Sequence, residues 1–124
     1  MSVVIKEVTS KKELKKFVKF NIDLYKGNPY HIPGLIEEEM VTLDKKKNPA
    51  FEVCDAIYFL AYKDDKIVGR IAGMINRRSN EVWNQERARF GFLDFIDDAE
   101  VVDALFGAVE KWAKEQGMKE IHGP

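Results

Sequence analysis

Two stretches of the chain place apolar residues at the 3.6-residue spacing of an amphipathic helix. The first stretch, Glu13 to Lys26, follows Ser10, which forms a capping-box pattern with Glu13. Its lysines fall mostly opposite the apolar stripe, so we interpret them as a solvated face rather than as an anion-binding patch. The second stretch, Ala99 to Gln116, ends before Gly117, a typical C-terminal stop. Both stretches predict helices that bury one face.

Shorter stretches rich in β-branched and aromatic residues predict strands. Two of these stretches enclose the polar residues Lys63 to Lys66 and predict an antiparallel hairpin. Gly69 and Gly73, inside the second hairpin strand, indicate a bulge or a close approach by another part of the chain. The predicted strands are Val3–Val8, Ala56–Tyr62, Ile67–Ile75, Ala88–Phe95 and Lys119–His122.

Two further segments have weaker patterns. After a proline-containing stretch, Leu35 to Asp44 resumes helical spacing and predicts a second, short helix. Asn76 to Arg89 carries four arginines around Trp83. Basic residues interleaved with an aromatic side chain bind phosphate or bases in some proteins. Because two glutamates interrupt the charge, we interpret this segment instead as an exposed loop or a short helix.

The order of the predicted elements is β-α-α-β-β-(α)-β-α-β. The last strand, helix and strand have the spacing of a right-handed crossover, so the last two strands should lie parallel. The sequence therefore predicts an α/β (α+β) fold, in which a mixed sheet has antiparallel N-terminal strands, a parallel βαβ crossover and flanking helices.

Composition narrows the class of protein. The chain has 124 residues, of which 45% are hydrophobic, enough for one domain with a buried core. Its net charge of -1 creates no field that would attract a phosphate backbone, so we expect no nucleic-acid partner. The sequence has no apolar run of bilayer-spanning length and no secretory signal, so we expect a cytoplasmic protein without a membrane partner.

The sequence contains few cysteine and histidine residues, the types that most often act as nucleophiles or metal ligands. Cys54 is the single cysteine, and we interpret it as a small hydrophobic side chain rather than a nucleophile. His31 and His122 are far apart in sequence and lack partners at metal-ligand spacing, so no metal site is predicted.

Several fragments of the sequence, taken with the order of elements, resemble a known family. They are Asn48-Pro49-Ala50-Phe51, Phe59-Leu60-Ala61, Val68-Gly69-Arg70-Ile71-Ala72 and Gly123-Pro124. The chain resembles the GNAT superfamily of acyl-CoA N-acyltransferases over nearly its whole length. It is similar in particular to the N-terminal part of uncharacterised, longer bacterial GNAT-like proteins. The resemblance implies an enzyme that uses acetyl-CoA or another acyl-CoA, with a small-molecule acyl donor and an amine acceptor.

The resemblance also implies where the acyl donor lies. In the family, acyl-CoA occupies a gap where two central parallel strands diverge, here Arg89 to Phe95 and Lys119 to His122. Diverging strands leave backbone groups unpaired, and an amide-rich ligand satisfies them. The predicted cofactor-binding residues are Leu93, Phe95 and Ile96.

The same resemblance suggests one catalytic residue and raises one conflict. The family usually uses a carboxylate or an ordered water as base, and Asp94 lies on the strand that would supply it; a solvent-facing or turn-capping role is the alternative. The family's glycine-containing pyrophosphate turn is replaced here by Asp97, Asp98 and Glu100, which cap a helix well but repel a pyrophosphate. The second hypothesis is therefore a GNAT-like binding or structural module that has lost acyl-CoA use.

The last predicted strand ends the chain, whereas the family continues with further elements. A strand at a sheet edge has unpaired backbone groups, which natural proteins usually cover. We therefore expect residues 1–124 to be a single GNAT-like domain that is incomplete at its C-terminus and inactive as it stands. The alternative is a partner strand, from a homodimer or from the missing C-terminal half, that pairs with the edge at Ile121.

Overall fold

The computed structural model describes residues 3–24, 43–46 and 48–123. Within these residues the strands are β1 (Val4–Glu7), β2 (Cys54–Lys63), β3 (Lys66–Asn76), β4 (Arg87–Phe95) and β5 (Glu120–His122). They form a sheet in the order β1-β2-β3-β4-β5. Strands β1 to β4 pair antiparallel, and β5 pairs parallel to β4. The predicted mixed sheet with a parallel crossover is confirmed.

The described helices are α1 (Lys11–Leu24), α2 (Arg77–Trp83), α3 (Ala99–Glu115) and a short 3-10 helix, Pro49–Glu52. The predicted capping box is present at the start of α1, where the Glu13 amide donates to Ser10 Oγ over 3.1 Å. The Glu13 carboxylate in turn accepts from the Thr9 amide over 3.3 Å. Of the predicted helix Leu35 to Asp44, residues 35–42 lie outside the described part of the chain.

The hairpin between β2 and β3 has the predicted polar turn. Its two central residues, Asp64 and Asp65, have φ values of 51° and 63°. Positive φ at both central positions defines a type I′ turn, whose twist matches that of the flanking strands. Aspartate tolerates this conformation better than most residues, which explains how the turn closes without glycine.

The sheet separates two apolar layers. On one face, α1 contributes Leu14, Phe17 and Val18. On the other face, α3 contributes residues at helical spacing, and alternate residues of β2 and β3 point toward each helix. The α3 residues that are fully buried or nearly so are Val101, Leu105, Val109 and Ala113. The sheet residues that meet them include Ala61, Val68 and Ile71.

The segment Asn76 to Arg89 forms α2 and the start of β4, so the short-helix interpretation is confirmed. Asn76 caps this helix by accepting from the Ser79 amide over 2.9 Å. Two arginines of the segment form ion pairs with acidic side chains: Arg77 of α2 with Asp55, and Arg87 of β4 with Glu120.

Strand β3 has both features that its glycines predict. Tyr62 pairs with Ile67 and Ala61 pairs with Gly69, so Val68 is an extra residue and forms a bulge. Helix α3 also approaches Gly69 closely. A Cβ built at this position would lie 2.8 Å from Leu105 Cδ1 and 2.9 Å from Val101 Cγ1. Position 69 therefore has no room for a side chain.

Replacing Gly69 with alanine is expected to lower the free energy of unfolding by about 1–3 kcal/mol, because the added methyl overpacks a buried contact. Gly107, on the exposed side of α3, provides the matched control, since a Cβ there would meet nothing within 4 Å. Gly107→Ala is expected to raise the unfolding free energy by roughly 0.5–1 kcal/mol through helix propensity. Urea denaturation measures both variants, and a neutral or stabilising Gly69→Ala would contradict this close packing.

Candidate functional site

A second bulge lies in the middle of β4. Arg70 pairs with Asp94 and Ala72 pairs with Gly91, so two residues of β4 stand opposite one residue of β3. Phe92 takes a φ of 51°, an uncommon conformation for a bulky side chain. The bulge interrupts the alternation of β4. Phe90 packs with the α3 layer, whereas Phe92, two positions later, packs with the α1 layer.

Arg70 holds this bulge against the rest of the molecule. Its side chain is only 4% exposed, and both Nε and Nη2 lie 2.8 Å from Asp94 Oδ2. Its Nη1 donates to the backbone carbonyl of Phe17 in α1 over 2.9 Å. The guanidinium also lies 5.0 Å from the ring centroid of Phe17 and 5.6 Å from that of Phe92. One buried cation therefore connects β3, β4 and α1 through charge, hydrogen bonds and cation–π contacts.

Asp94, the predicted base, lies inside this cluster. Its side chain is 11% exposed, and its Oδ2 accepts the hydrogen bond from Arg70 Nε and forms the ion pair with Nη2. The predicted solvent-facing alternative for Asp94 is therefore wrong. Sequence reasoning missed Arg70 as the partner of Asp94. The available signal was a single charge inside the apolar strand Ile67–Ile75, because a buried charge requires a partner.

The predicted cofactor-binding residues do not all share the face that Asp94 occupies. Leu93 and Phe95 pack with the α3 layer, whereas Asp94 faces α1 through Arg70. Ile96 follows β4, and its amide donates to the Val68 carbonyl over 3.0 Å. Its side chain also lines a cavity on the α1 side. The ordinary alternation of strand residues after the bulge thus divides the predicted site between the two faces of the sheet.

Strand β5 meets β4 before the bulge. Their parallel register pairs Ala88 with Ile121, and Arg89 with His122. Directly after this pairing, the chain passes the ring of Phe90 so closely that a Cβ at Gly123 would lie 2.4 Å from it. The bulge lies further along β4 than the pairing with β5 extends within the described residues.

The turn after β4 is closed by an acidic cap. Asp98 is the N-cap of α3, and its Oδ1 accepts from the Glu100 amide over 3.0 Å. Its Oδ2 lies 2.7 Å from Lys63 Nζ, which is also 3.9 Å from the Glu100 carboxylate. The hydrogen bond from Lys63 holds the pKa of Asp98 below its ordinary value. The predicted capping role is confirmed for Asp98.

This turn does not fit a pyrophosphate group. A helix N-terminus binds phosphate through its free amides and the positive end of its dipole. Here the Asp98 carboxylate already accepts from the first turn and uses the nearby cation of Lys63. A phosphate would have to displace that carboxylate and meet the charge of Glu100.

Acid is expected to remove the contribution of the Asp98 charge to stability. A carboxyl group whose pKa is lowered on folding stabilises the fold above its ordinary pKa, here 3.8, and loses this effect as the pH falls through its folded value. Asp98→Asn should therefore melt below the wild type at pH 7, and the difference should shrink below pH 3.8. Asp97→Asn, at an exposed neighbouring position, is the control for a general charge effect. A difference in Tm that does not change with pH would contradict the ion pair.

Metal-ligating groups and membrane-spanning helices are absent from the described part of the chain. Within residues 3–24, 43–46 and 48–123, no group of three or more histidine, cysteine, aspartate or glutamate side chains could hold a metal ion. In the same ranges, no helix is both long and apolar enough to cross a membrane.

The fold matches solved acetyltransferase structures. An aminoglycoside acetyltransferase from an uncultured soil metagenomic sample, in complex with sisomicin, aligns with a TM-score of 0.67 and 17% identity over 98% of this chain and 76% of its own. A tandem GNAT protein from the clavulanic acid biosynthesis pathway aligns with a TM-score of 0.69 and 11% identity over 93% of this chain and 34% of its own. A predicted acetyltransferase from Clostridium acetobutylicum, with acetyl-CoA, has a TM-score of 0.63 and 12% identity over 98% of this chain and 80% of its own. The chain therefore has the GNAT fold.

Two curated proteins are similar in sequence. Protein YghO of Escherichia coli (strain K12) is 37% identical over 121 residues, which are 98% of this chain and 31% of that protein. The bacterial ceramide synthase of Caulobacter vibrioides (strain NA1000 / CB15N) is 31% identical over 113 residues, 90% of this chain and 29% of that protein. The chain spans about three-tenths of the length of these curated relatives. No family model matches it.

Proposed function

We propose that this chain forms part of an acyl-CoA-dependent N-acyltransferase, which transfers an acyl group from a thioester to an amine. The observation that supports this most directly is the GNAT fold, with β4 bulged in its centre and joined to β5 by a parallel crossover. A structural neighbour was solved with acetyl-CoA, and another with the amine-bearing sisomicin. Fold alone does not define the reaction, so the proposal also depends on the residues of the site.

The acceptor that we propose is a long-chain amine. One relative is a ceramide synthase, and a ceramide is the amide formed between a fatty acyl group and a long-chain amino alcohol. Synthesis of such a product by N-acylation matches the type of bond that the proposed reaction makes. A small hydrophilic acceptor such as an aminoglycoside is the alternative that the structural neighbour suggests.

We assign Asp94 as the base that accepts a proton from the attacking amine. An amine that attacks a thioester carbon must lose a proton, and a positioned carboxylate is a common acceptor for it. Arg70 fixes the direction of this carboxylate through a hydrogen bond from Nε and an ion-pair contact from Nη2, each 2.8 Å from Oδ2. The bound acyl-CoA would supply the acyl group as an activated thioester.

A binding module without acyl transfer is the second candidate. The observation that favours it is the Asp98 cap, which occupies the helix N-terminus that binds pyrophosphate in the family. Such a module would keep the fold and the Arg70 cluster as structural elements only.

Titration of the full-length protein and of the 124-residue chain with CoA and palmitoyl-CoA separates the two functions. Saturable binding of palmitoyl-CoA, followed by release of CoA when a long-chain amine is added, is the expected result. A bulky residue at Ile96, as in Ile96→Trp, should weaken donor binding, and the same substitution at the exposed Asp97 should not. Saturable binding of neither thioester nor CoA by the full-length protein would favour the binding module.

A further inference from the structure

A cavity of about 610 Å³ lies between α1 and the hairpin turn, next to the end of β4. Its apolar floor is formed by Phe20, Tyr62, Ile67 and Ile96. Phe20 is 7% exposed, so this floor continues into the core. The volume falls within the range of small-molecule sites, which combine an apolar lining with a few polar groups.

Three lysines surround this floor: Lys16 and Lys19 from α1 and Lys66 from the start of β3. Asp65 is the acidic residue among the lining groups. Two of these lysines belong to the set that the sequence pattern assigns to a solvated face. We call this space the lysine-rimmed cavity.

The three lysines carry charge that the described part of the chain does not neutralise in ion pairs. In residues 3–24, 43–46 and 48–123, none of the three lies within salt-bridge distance of a carboxylate. Lys63, at the other side of the same hairpin turn, contrasts with them because it pairs with Asp98 and Glu100. As far as the structure describes the chain, the lysine-rimmed cavity therefore combines apolar surface with three lysines outside ion pairs and one acidic residue, Asp65.

We propose that the lysine-rimmed cavity binds the phosphate-bearing end of an anionic amphiphile. This deepens the proposed function and rests on it for the role of that ligand as acyl donor. The acidic cap at Asp98 closes the helix N-terminus to phosphate. Ile96, only two positions before that cap, lines a cavity with three cations instead. A phosphate or pyrophosphate gains charge-assisted hydrogen bonds from lysines, while an attached chain covers the apolar floor.

The test compares two triple variants that remove equal charge. The first, Lys16→Gln with Lys19→Gln and Lys66→Gln, removes the cations of the cavity. The control, Lys11→Gln with Lys12→Gln and Lys15→Gln, removes exposed lysines of α1 that do not line it. Calorimetric titrations of the full-length protein with CoA, palmitoyl-CoA, inorganic pyrophosphate and phosphatidylglycerol vesicles give the affinities.

The cavity variant is expected to bind CoA and palmitoyl-CoA about tenfold or more weakly at low salt, and with a flatter salt dependence, because lysine–phosphate attraction is screened by salt. The control variant should stay within about twofold of the wild type, as should Asp98→Asn. Equal losses in both triple variants would overturn the proposal. So would higher CoA affinity in Asp98→Asn together with unchanged affinity in the cavity variant, since the phosphates would then lie at α3.

The other ligands separate this proposal from the proposed function. Pyrophosphate binding that depends on the cavity lysines, in a protein that binds no CoA or palmitoyl-CoA, would support the anion site and refute the acyl-CoA donor. Vesicle binding with the same lysine dependence, without CoA binding, would assign the site to a lipid headgroup. Absence of binding to all four ligands by the wild type would refute both.

Discussion

Replacing Arg70 with alanine is expected to lower the free energy of unfolding by about 3–5 kcal/mol, the usual cost of removing one partner from a buried ion pair. Asp94, whose side chain is 11% exposed beside Arg70, would lose its cation. The Phe17 carbonyl would lose a donor at 2.9 Å, and the rings of Phe17 and Phe92 would each lose a cation–π contact. Urea denaturation of the full-length protein measures the loss.

Two further variants test the cause. Arg70→Met combined with Asp94→Leu removes both charges and should cost less than Arg70→Ala alone, because neither charge is left buried. Arg87→Ala breaks an ion pair whose side chains are 25% and 56% exposed, and should cost much less than Arg70→Ala. If the double variant is as unstable as Arg70→Ala, uncompensated charge is not the cause of the loss.

Asp94→Asn is expected to lower kcat for acyl transfer by about 10²–10⁴-fold, the usual contribution of a general base. Asparagine keeps an oxygen that accepts from Arg70, but it leaves the buried guanidinium without its anion, so the variant should also be less stable, and kcat is measured well below its Tm. Asp97→Asn removes a nearby exposed carboxylate and should leave kcat unchanged.

The same variant distinguishes catalysis from positioning. If Asp94 only holds the bulge of β4, Asp94→Asn would lose stability, and the protein that remains folded would keep its kcat. That result would contradict the assignment of Asp94 as base. It would leave the bulge as the feature that Asp94 maintains through Arg70.

The elements whose patterns are local could be predicted from the sequence. The capping box at Ser10, the hairpin turn at Asp64 and Asp65, and the Asp98 cap each depend on residues a few positions apart. The parallel pairing of β5 with β4 also follows from a general rule, because right-handed crossovers of this length join parallel strands.

The centre of the candidate site could not be predicted in the same way. Which residue of β4 takes a positive φ depends on the register with β3, and that register is set by contacts between distant residues such as Arg70 and Asp94. The bulge then reverses the faces of all later residues of the strand, so it decides that Asp94 faces α1 with Arg70 and that Leu93 faces α3. The lysine-rimmed cavity likewise requires the packing of α1 beside the hairpin, which no local pattern specifies.

The three connections of Arg70 have a mechanical consequence. The same guanidinium donates to a carbonyl of α1 and to a carboxylate of β4, so a shift of α1 along the sheet breaks at least one of these two hydrogen bonds. The distance between α1 and β4 is thereby fixed in the protein without a ligand. Selection among ligands at this junction should accordingly depend on their fit to a preset width, because the walls have little freedom to adjust.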